Sequence, residues 1–198
     1  MRLAVFDYGA GNMHSLVKAL VLAGADVRVE PDARRCLDAD GLVLPGVGAF
    51  TQAANRLAPS RVAVRAAIEQ GLPTLGICLG MQLLFDASDE GVGEGLGVIA
   101  GRVTRLEASR IPQIGWNTVR NACEPLLDAT PLAYAYYANS YRAQPADASC
   151  VTAWTEYERD RFPAIVRYKR AIGVQFHPEK SSTDGIAFLS AAVREMKR

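Results

Sequence analysis

Three residues carry the chemistry that this chain offers: Cys78 in Gly76-Ile77-Cys78-Leu79-Gly80, and His177 and Glu179 in Gln175-Phe176-His177-Pro178-Glu179. They are the residue types of a nucleophile, a base and an orienting acid, the division of labour of a cysteine hydrolase triad. A carboxylate that accepts from one imidazole nitrogen leaves the other nitrogen to face the thiol. The chain has only two histidines, and His14, in Gly11-Asn12-Met13-His14-Ser15, has no acid nearby. Pro178 biases His177 toward extended backbone, which sets the imidazole at a strand end. A lone cysteine or histidine reads more simply as a packed side chain. Here the coincidence of flanking glycines, strand context and nearby acid favours the triad.

The elements around Cys78 must present it. Residues 74–77 read as a buried strand and 81–85 as the helix that leaves it, so Cys78 falls on the turn between them. A nucleophile elbow brings neighbouring backbone close to the nucleophile, and Gly76 and Gly80 are small enough to allow that approach. The unpaired N–H groups of the following helix carry partial positive charge and favour a thiolate there. A second glycine turn, Pro45-Gly46-Val47-Gly48-Ala49-Phe50, follows the apolar run 42–44. It reads either as an oxyanion hole, whose backbone N–H groups receive the charge formed on an attacked amide, or as an ordinary strand-to-helix turn. The turn over 7–12 lacks the third glycine of a dinucleotide loop and the Gly-Lys-Ser/Thr of a P-loop, so a tight turn explains its glycines.

Strand-like runs alternate with helical ones along the first half: strands over 2–7, 26–30 and 41–44, helices over 13–23 and 61–70. This predicts an α/β fold with a doubly wound, mostly parallel sheet and helices on both faces, which puts ligands beyond the carboxyl ends of its strands, where Cys78 lies. From 97 to 176 the strand signals shorten. Runs at 164–168 and 172–176 around Lys169-Arg170 predict a smaller antiparallel sheet, and a helix over 184–196 closes the chain. With 198 residues, 49% of them hydrophobic, the chain is expected to form a single domain over 1–198.

Composition excludes several classes. A net charge of +1 with scattered basic residues gives no footprint for nucleic acid. No apolar run reaches a membrane span, and the start of the chain is not a signal peptide, so the expected location is the cytoplasm. The four cysteines, at 36, 78, 123 and 150, have no metal-ligand spacing, so no metal and no cofactor is expected. Cys36, Cys123 and Cys150 are assigned no chemistry. Trp116, Tyr134, Tyr136, Tyr137 and Tyr141 read as a binding wall or, more simply, as core packing, and Lys180 taken alone reads as a surface cation.

The elbow glycines, the His-x-Glu pair, Asp7-Tyr8-Gly9-Ala10-Gly11-Asn12, the 45–50 turn, Gly115-Trp116-Asn117 and the extension through Lys180-Ser181 together resemble the class I glutamine amidotransferases over nearly the whole chain. Within that family the resemblance is strongest to the free-standing glutaminase subunits of histidine biosynthesis. It implies a flavodoxin-like fold and glutamine hydrolysis through Cys78, His177 and Glu179. It further implies backbone N–H groups of Val47 and Leu79 as the oxyanion hole, and Gly46, Gln82, Ser140 and Tyr141 around the glutamine. Ammonia would pass to a separate (β/α)₈-barrel cyclase subunit in a heterodimer, converting PRFAR to imidazole glycerol phosphate and AICAR, with Asn12, Tyr136 and Lys180 near that partner. Such a chain is expected to hydrolyse glutamine poorly without its partner. Gln113 and Asn139 stand where the family often has histidine. Two other readings remain, a glutaminase that feeds another synthase, such as an amidino-sugar enzyme, and a silent partner-binding module.

Overall fold

The computed structural model describes residues 1–9, 13–46 and 48–198. The strands are β1 (Arg2–Phe6), β2 (Asp26–Glu30), β3 (Gly41–Leu44), β4 (Thr74–Ile77), β5 (Ala87–Ser88), β6 (Gly101–Arg105), β7 (Gln113–Thr118), β8 (Arg120–Asn121), β9 (Tyr134–Asn139), β10 (Tyr141–Pro145), β11 (Val151–Tyr157), β12 (Asp160–Tyr168) and β13 (Ala171–Val174). The helices are α1 (His14–Leu22), α2 (Ala33–Cys36), α3 (Phe50–Leu57), α4 (Arg61–Glu69), α5 (Leu79–Gln82), α6 (Pro125–Asp128) and α7 (Ser182–Met196).

The main sheet runs in the order β2-β1-β3-β4-β13-β12-β11-β8. From β2 to β13 neighbouring strands pair in parallel, and β12, β11 and β8 extend the same sheet antiparallel. Strands β3, β4 and β13 are buried along their whole length, as interior parallel strands covered on both faces must be. Alternation sorts β1 between two cores. Leu3 and Val5 join the cluster under α1 and α7, whereas Ala4 and Phe6 join the one that holds Phe50, Leu57, Val64 and Ile68 of α3 and α4. β2 is mostly exposed and closes one edge.

The expected antiparallel region is therefore partly an extension of the main sheet. Separate small sheets add β10-β6-β5 and the antiparallel pair β7-β9. The strand expected at 164–168 begins at Asp160, because the first part of β12, from Asp160 to Val166, pairs with β11. α3 had no counterpart among the expected helices; it is short and buries two alanines beside Phe50 and Leu57. The helix after Cys78 begins at Leu79, two residues earlier than expected, and ends at Gln82. The carbonyls of Leu83, Leu84 and Phe85 then accept N–H groups from Leu96, Ile99 and Gly97 rather than continuing a helical ladder.

The closing helix anchors the histidine segment. Phe188 of α7 meets Phe176 edge-to-face at 5.6 Å, and Phe176 meets Tyr137 at 5.9 Å. Arg167 of β12 ties α7 down through Glu195 while pairing with the fully buried Glu124. Phe188→Ala should cost about 3–5 kcal/mol by cavity formation, read from urea denaturation. Because Phe176 lies between Gln175 and His177, the same variant should also lose order at His177, seen as broadening of its imidazole resonances.

Candidate active site

Cys78 occupies the turn between β4 and α5 with φ 47° and ψ −105°. A non-glycine residue rarely adopts such angles, and the conformation persists only where its surroundings impose it. The cysteine N–H donates to the Val174 carbonyl of the neighbouring strand at 2.7 Å. A Cβ on Gly76 would stand 2.6 Å from the Gly80 carbonyl oxygen, and a Cβ on Gly80 only 2.0 Å from that of Leu44. The two elbow glycines thus let β3, β4 and α5 close around Cys78. Gly46 is equally constrained, since a Cβ there would meet the His177 imidazole at 2.9 Å and the Cys78 Cβ at 3.1 Å.

His177 is buried at the end of the chain leaving β13, its N–H held by the Tyr136 carbonyl at 2.8 Å. Its Nδ1 lies 2.8 Å from Glu179 Oε1, and its side chain hydrogen-bonds Cys78. Burial opposes the imidazolium, but the charge and hydrogen bond of Cys78, with help from Glu179, outweigh it and push His177 up from 6.5 to about 10. The imidazole is therefore held in its protonated form at neutral pH, beside the Cys78 sulfur. Cys36 and Cys150 lie in contrasting surroundings: burial pushes the Cys36 thiol up to about 12, and burial also raises Cys150.

A cavity of about 200 Å³ opens on the sulfur, lined by Gly46, Gly48, Cys78, Leu79, Gln82, Glu90 and residues 138–141. It gathers the expected Gly46, Leu79, Gln82, Ser140 and Tyr141. Leu79 opens α5, so its N–H has no acceptor within that helix. Val47 and Asn12 lie outside the described residues. Tyr8, fully buried, donates its hydroxyl to the Pro45 carbonyl and so braces the turn before Gly46; burial, then the charge of Cys78, raises its phenol. Tyr136 and Lys180 do meet, Lys180 Nζ standing 5.9 Å from the Tyr136 ring, with the half-exposed Trp116 edge-on to that ring at 6.4 Å. His14 is exposed at the start of α1.

Two residues at the site were not singled out from sequence. Glu90 puts a carboxylate on the cavity wall, accepting from the Phe50 N–H at 3.3 Å, and burial raises it above the usual carboxylate range. Gln175 donates its amide to Cys78 Sγ at 3.5 Å. No sequence spacing links either to the triad. Among the described residues no group of three or more His, Cys, Asp or Glu side chains could hold a metal, and no helix is long and apolar enough to cross a membrane.

The family model for glutamine amidotransferase class-I matches residues 4–195. The chain is 42% identical to the imidazole glycerol phosphate synthase subunit HisH of Geobacillus thermodenitrificans, covering 96% of this chain and 94% of that one. It is 41% identical to the HisH subunit of Pyrococcus furiosus, covering 95% and 96%. Among solved structures, a glutamine amidotransferase superposes with a TM-score of 0.78 at 18% identity, covering 99% of both chains, and PurLQS from Thermotoga maritima gives 0.70 at 20%, covering 99% of this chain and 97% of that one. These two similarities concern the fold.

The raised His177 yields a test with a definite sign. In Cys78→Ala the contribution of the sulfur is gone, burial regains its weight, and the His177 titration should move down from about 10, as followed by NMR of the imidazole. In the parent, the folded chain keeps a proton that the unfolded chain releases above 6.5. That contribution to stability is complete below 6.5 and lost as pH rises toward 10.

Proposed function

Since the chain belongs to the class I glutamine amidotransferase family, in its HisH branch, we propose that it hydrolyses L-glutamine through Cys78, His177 and Glu179 and delivers the ammonia to a cyclase subunit. It is the glutaminase subunit of imidazole glycerol phosphate synthase and acts in L-histidine biosynthesis. The observation that carries the site assignment is the buried Cys78–His177–Glu179 set at the floor of a cavity with Glu90 on its wall.

The geometry suits the following sequence. The Cys78 thiolate attacks the side-chain carboxamide carbon of glutamine, forming a C–S bond and moving charge to the oxygen. The N–H of Leu79, and by the family resemblance that of Val47, receive that oxyanion. His177 gives its proton to the departing nitrogen, the C–N bond breaks, and ammonia leaves a glutamyl thioester. Neutral His177 then takes a proton from water, whose oxygen attacks the thioester; the C–S bond breaks, glutamate is released and the thiolate is regenerated. Glu179 holds the imidazole throughout. Gly46, Gln82, Ser140 and Tyr141 border the substrate, and Glu90 is the counter-charge for its α-ammonium.

The partner in this proposal is a (β/α)₈-barrel cyclase that consumes PRFAR, forming imidazole glycerol phosphate and AICAR, in a cytoplasmic heterodimer. The exposed Trp116, Ile114 and Tyr134 around the Tyr136–Lys180 contact support a docking face there. Asn12 belongs to the same proposed interface. The whole of 1–198 is taken as one functional domain, without a metal or organic cofactor in this half-reaction.

Glutamate release should be slow for the chain alone and rise strongly with a histidine-pathway cyclase and PRFAR, with Cys78→Ala at background in both. Activity indifferent to the cyclase would redirect the ammonia to another acceptor. Glu90→Gln should raise the KM for glutamine about 10- to 100-fold, the worth of a hydrogen bond to a charged group, with a smaller change in kcat.

A further inference from the structure

Gln175 is fully buried, one residue beyond β13 and two before His177. Along extended chain alternate residues share a side, so Gln175 and His177 both reach Cys78 while Phe176 turns into the aromatic core. The Gln175 backbone is pinned by its N–H to the Ala164 carbonyl at 2.9 Å. Its side chain is oriented through Gln82 by a carbonyl that can only accept. The Tyr141 carbonyl takes Nε2 of Gln82 at 3.1 Å, and the same nitrogen donates to Gln175 Oε1 at 3.3 Å. With its oxygen so engaged, Gln175 presents Nε2 to Cys78 Sγ at 3.5 Å.

We propose that Gln175 is a positioning residue for the nucleophile: its N–H fixes the buried Cys78 thiolate facing the glutamine cavity, and its oxygen links that orientation to Gln82 on the cavity wall. A buried anion requires donors in place of water. His177 supplies one on one side of the sulfur, but it also has to carry a proton to the leaving nitrogen. Gln175 supplies a second that never titrates, so the sulfur keeps a fixed donor while His177 changes protonation. The inference rests on the reading of Cys78 as the glutaminase nucleophile.

Two variants in the complex with the cyclase test it, Gln175→Met, which keeps length and loses the donor, and Gln175→Glu, which keeps shape and replaces the donor with an acceptor until it is protonated. Cys78 alkylation by iodoacetamide, glutaminase kcat and KM against pH, and Tm are measured together. Gln175→Met should slow both alkylation at neutral pH and kcat about 10-fold, with KM changed less than about 3-fold. Gln175→Glu should lose more at neutral pH and recover toward acid pH, where its O–H again donates. Parent-like alkylation and pH profiles in both variants would overturn the inference, as would losses that follow Tm alone. A parent that is neither alkylated nor active on glutamine would overturn the glutaminase reading along with it.

Discussion

Everything at this site depends on how closely three backbone segments approach one another at Cys78. The turn is left-handed at a cysteine, which costs on the order of 1–3 kcal/mol, and it can be held only because β3, β4 and α5 are packed to contact. The clash at Gly80 makes the point. Its missing Cβ would overlap the Leu44 carbonyl, so any side chain would push α5 off β3 and release the strain that aims the thiol. Burial of β3, β4 and β13 along their full lengths supplies the rigidity, and the fully buried Leu42, Leu44, Leu75 and Ile77 provide more than enough apolar burial, at roughly 1.5–3 kcal/mol per large side chain, to offset it. The same closeness brings Gly46 against His177, so the elbow, Gly46 and the histidine segment fit only as a set.

Within that frame the electrostatics run against burial. Desolvation alone would keep His177 neutral, and the thiol beside it would then lack its cationic partner. The imidazolium prevails because three compensations act together: the Cys78 charge, the direct hydrogen bond, and the Glu179 carboxylate held 2.8 Å from Nδ1. A buried ion pair is worth having only when its remaining hydrogen-bonding capacity is met. The sulfur illustrates the rule, receiving Gln175 as well as His177.

The grouping of Cys78, His177 and Glu179 was legible in the sequence because its signals are local: a glycine two residues on either side of Cys78, and an acid two residues after His177. The parallel half of the sheet was legible for a similar reason, since β1, β3 and β4 are continuous apolar runs. What escaped was non-local or weakly patterned. Glu90 reaches the cavity and Gln175 the Cys78 sulfur from loops whose spacing to Cys78 carries no period, and Gln175 sat unassigned inside the very motif that supplied His177. α3 hid because alanines occupy half of its buried face. The antiparallel strands were sensed at 164–168 and 172–176, yet their union with the main sheet depends on Ala171–Val174 pairing in parallel with β4, a contact about a hundred residues apart that no local pattern encodes.

Gln113 and Asn139, the amides that replace the family's frequent histidines, are direct cross-strand partners in β7-β9 and are both buried. Each leaves its side-chain oxygen without a hydrogen-bond partner, while the Asn139 amide donates to the same Tyr141 carbonyl that orients Gln82. Two histidines here would place titratable groups beside the cavity and make its wall sensitive to pH. Two amides keep a hydrogen-bonding layer at that depth with no charge in either state. The Tyr141 carbonyl, and with it the chain through Gln82 and Gln175 to the sulfur, is thereby held by groups that do not change with pH. The shifted groups at the cavity are His177, raised against burial by the charge of Cys78, and Glu90, raised by burial.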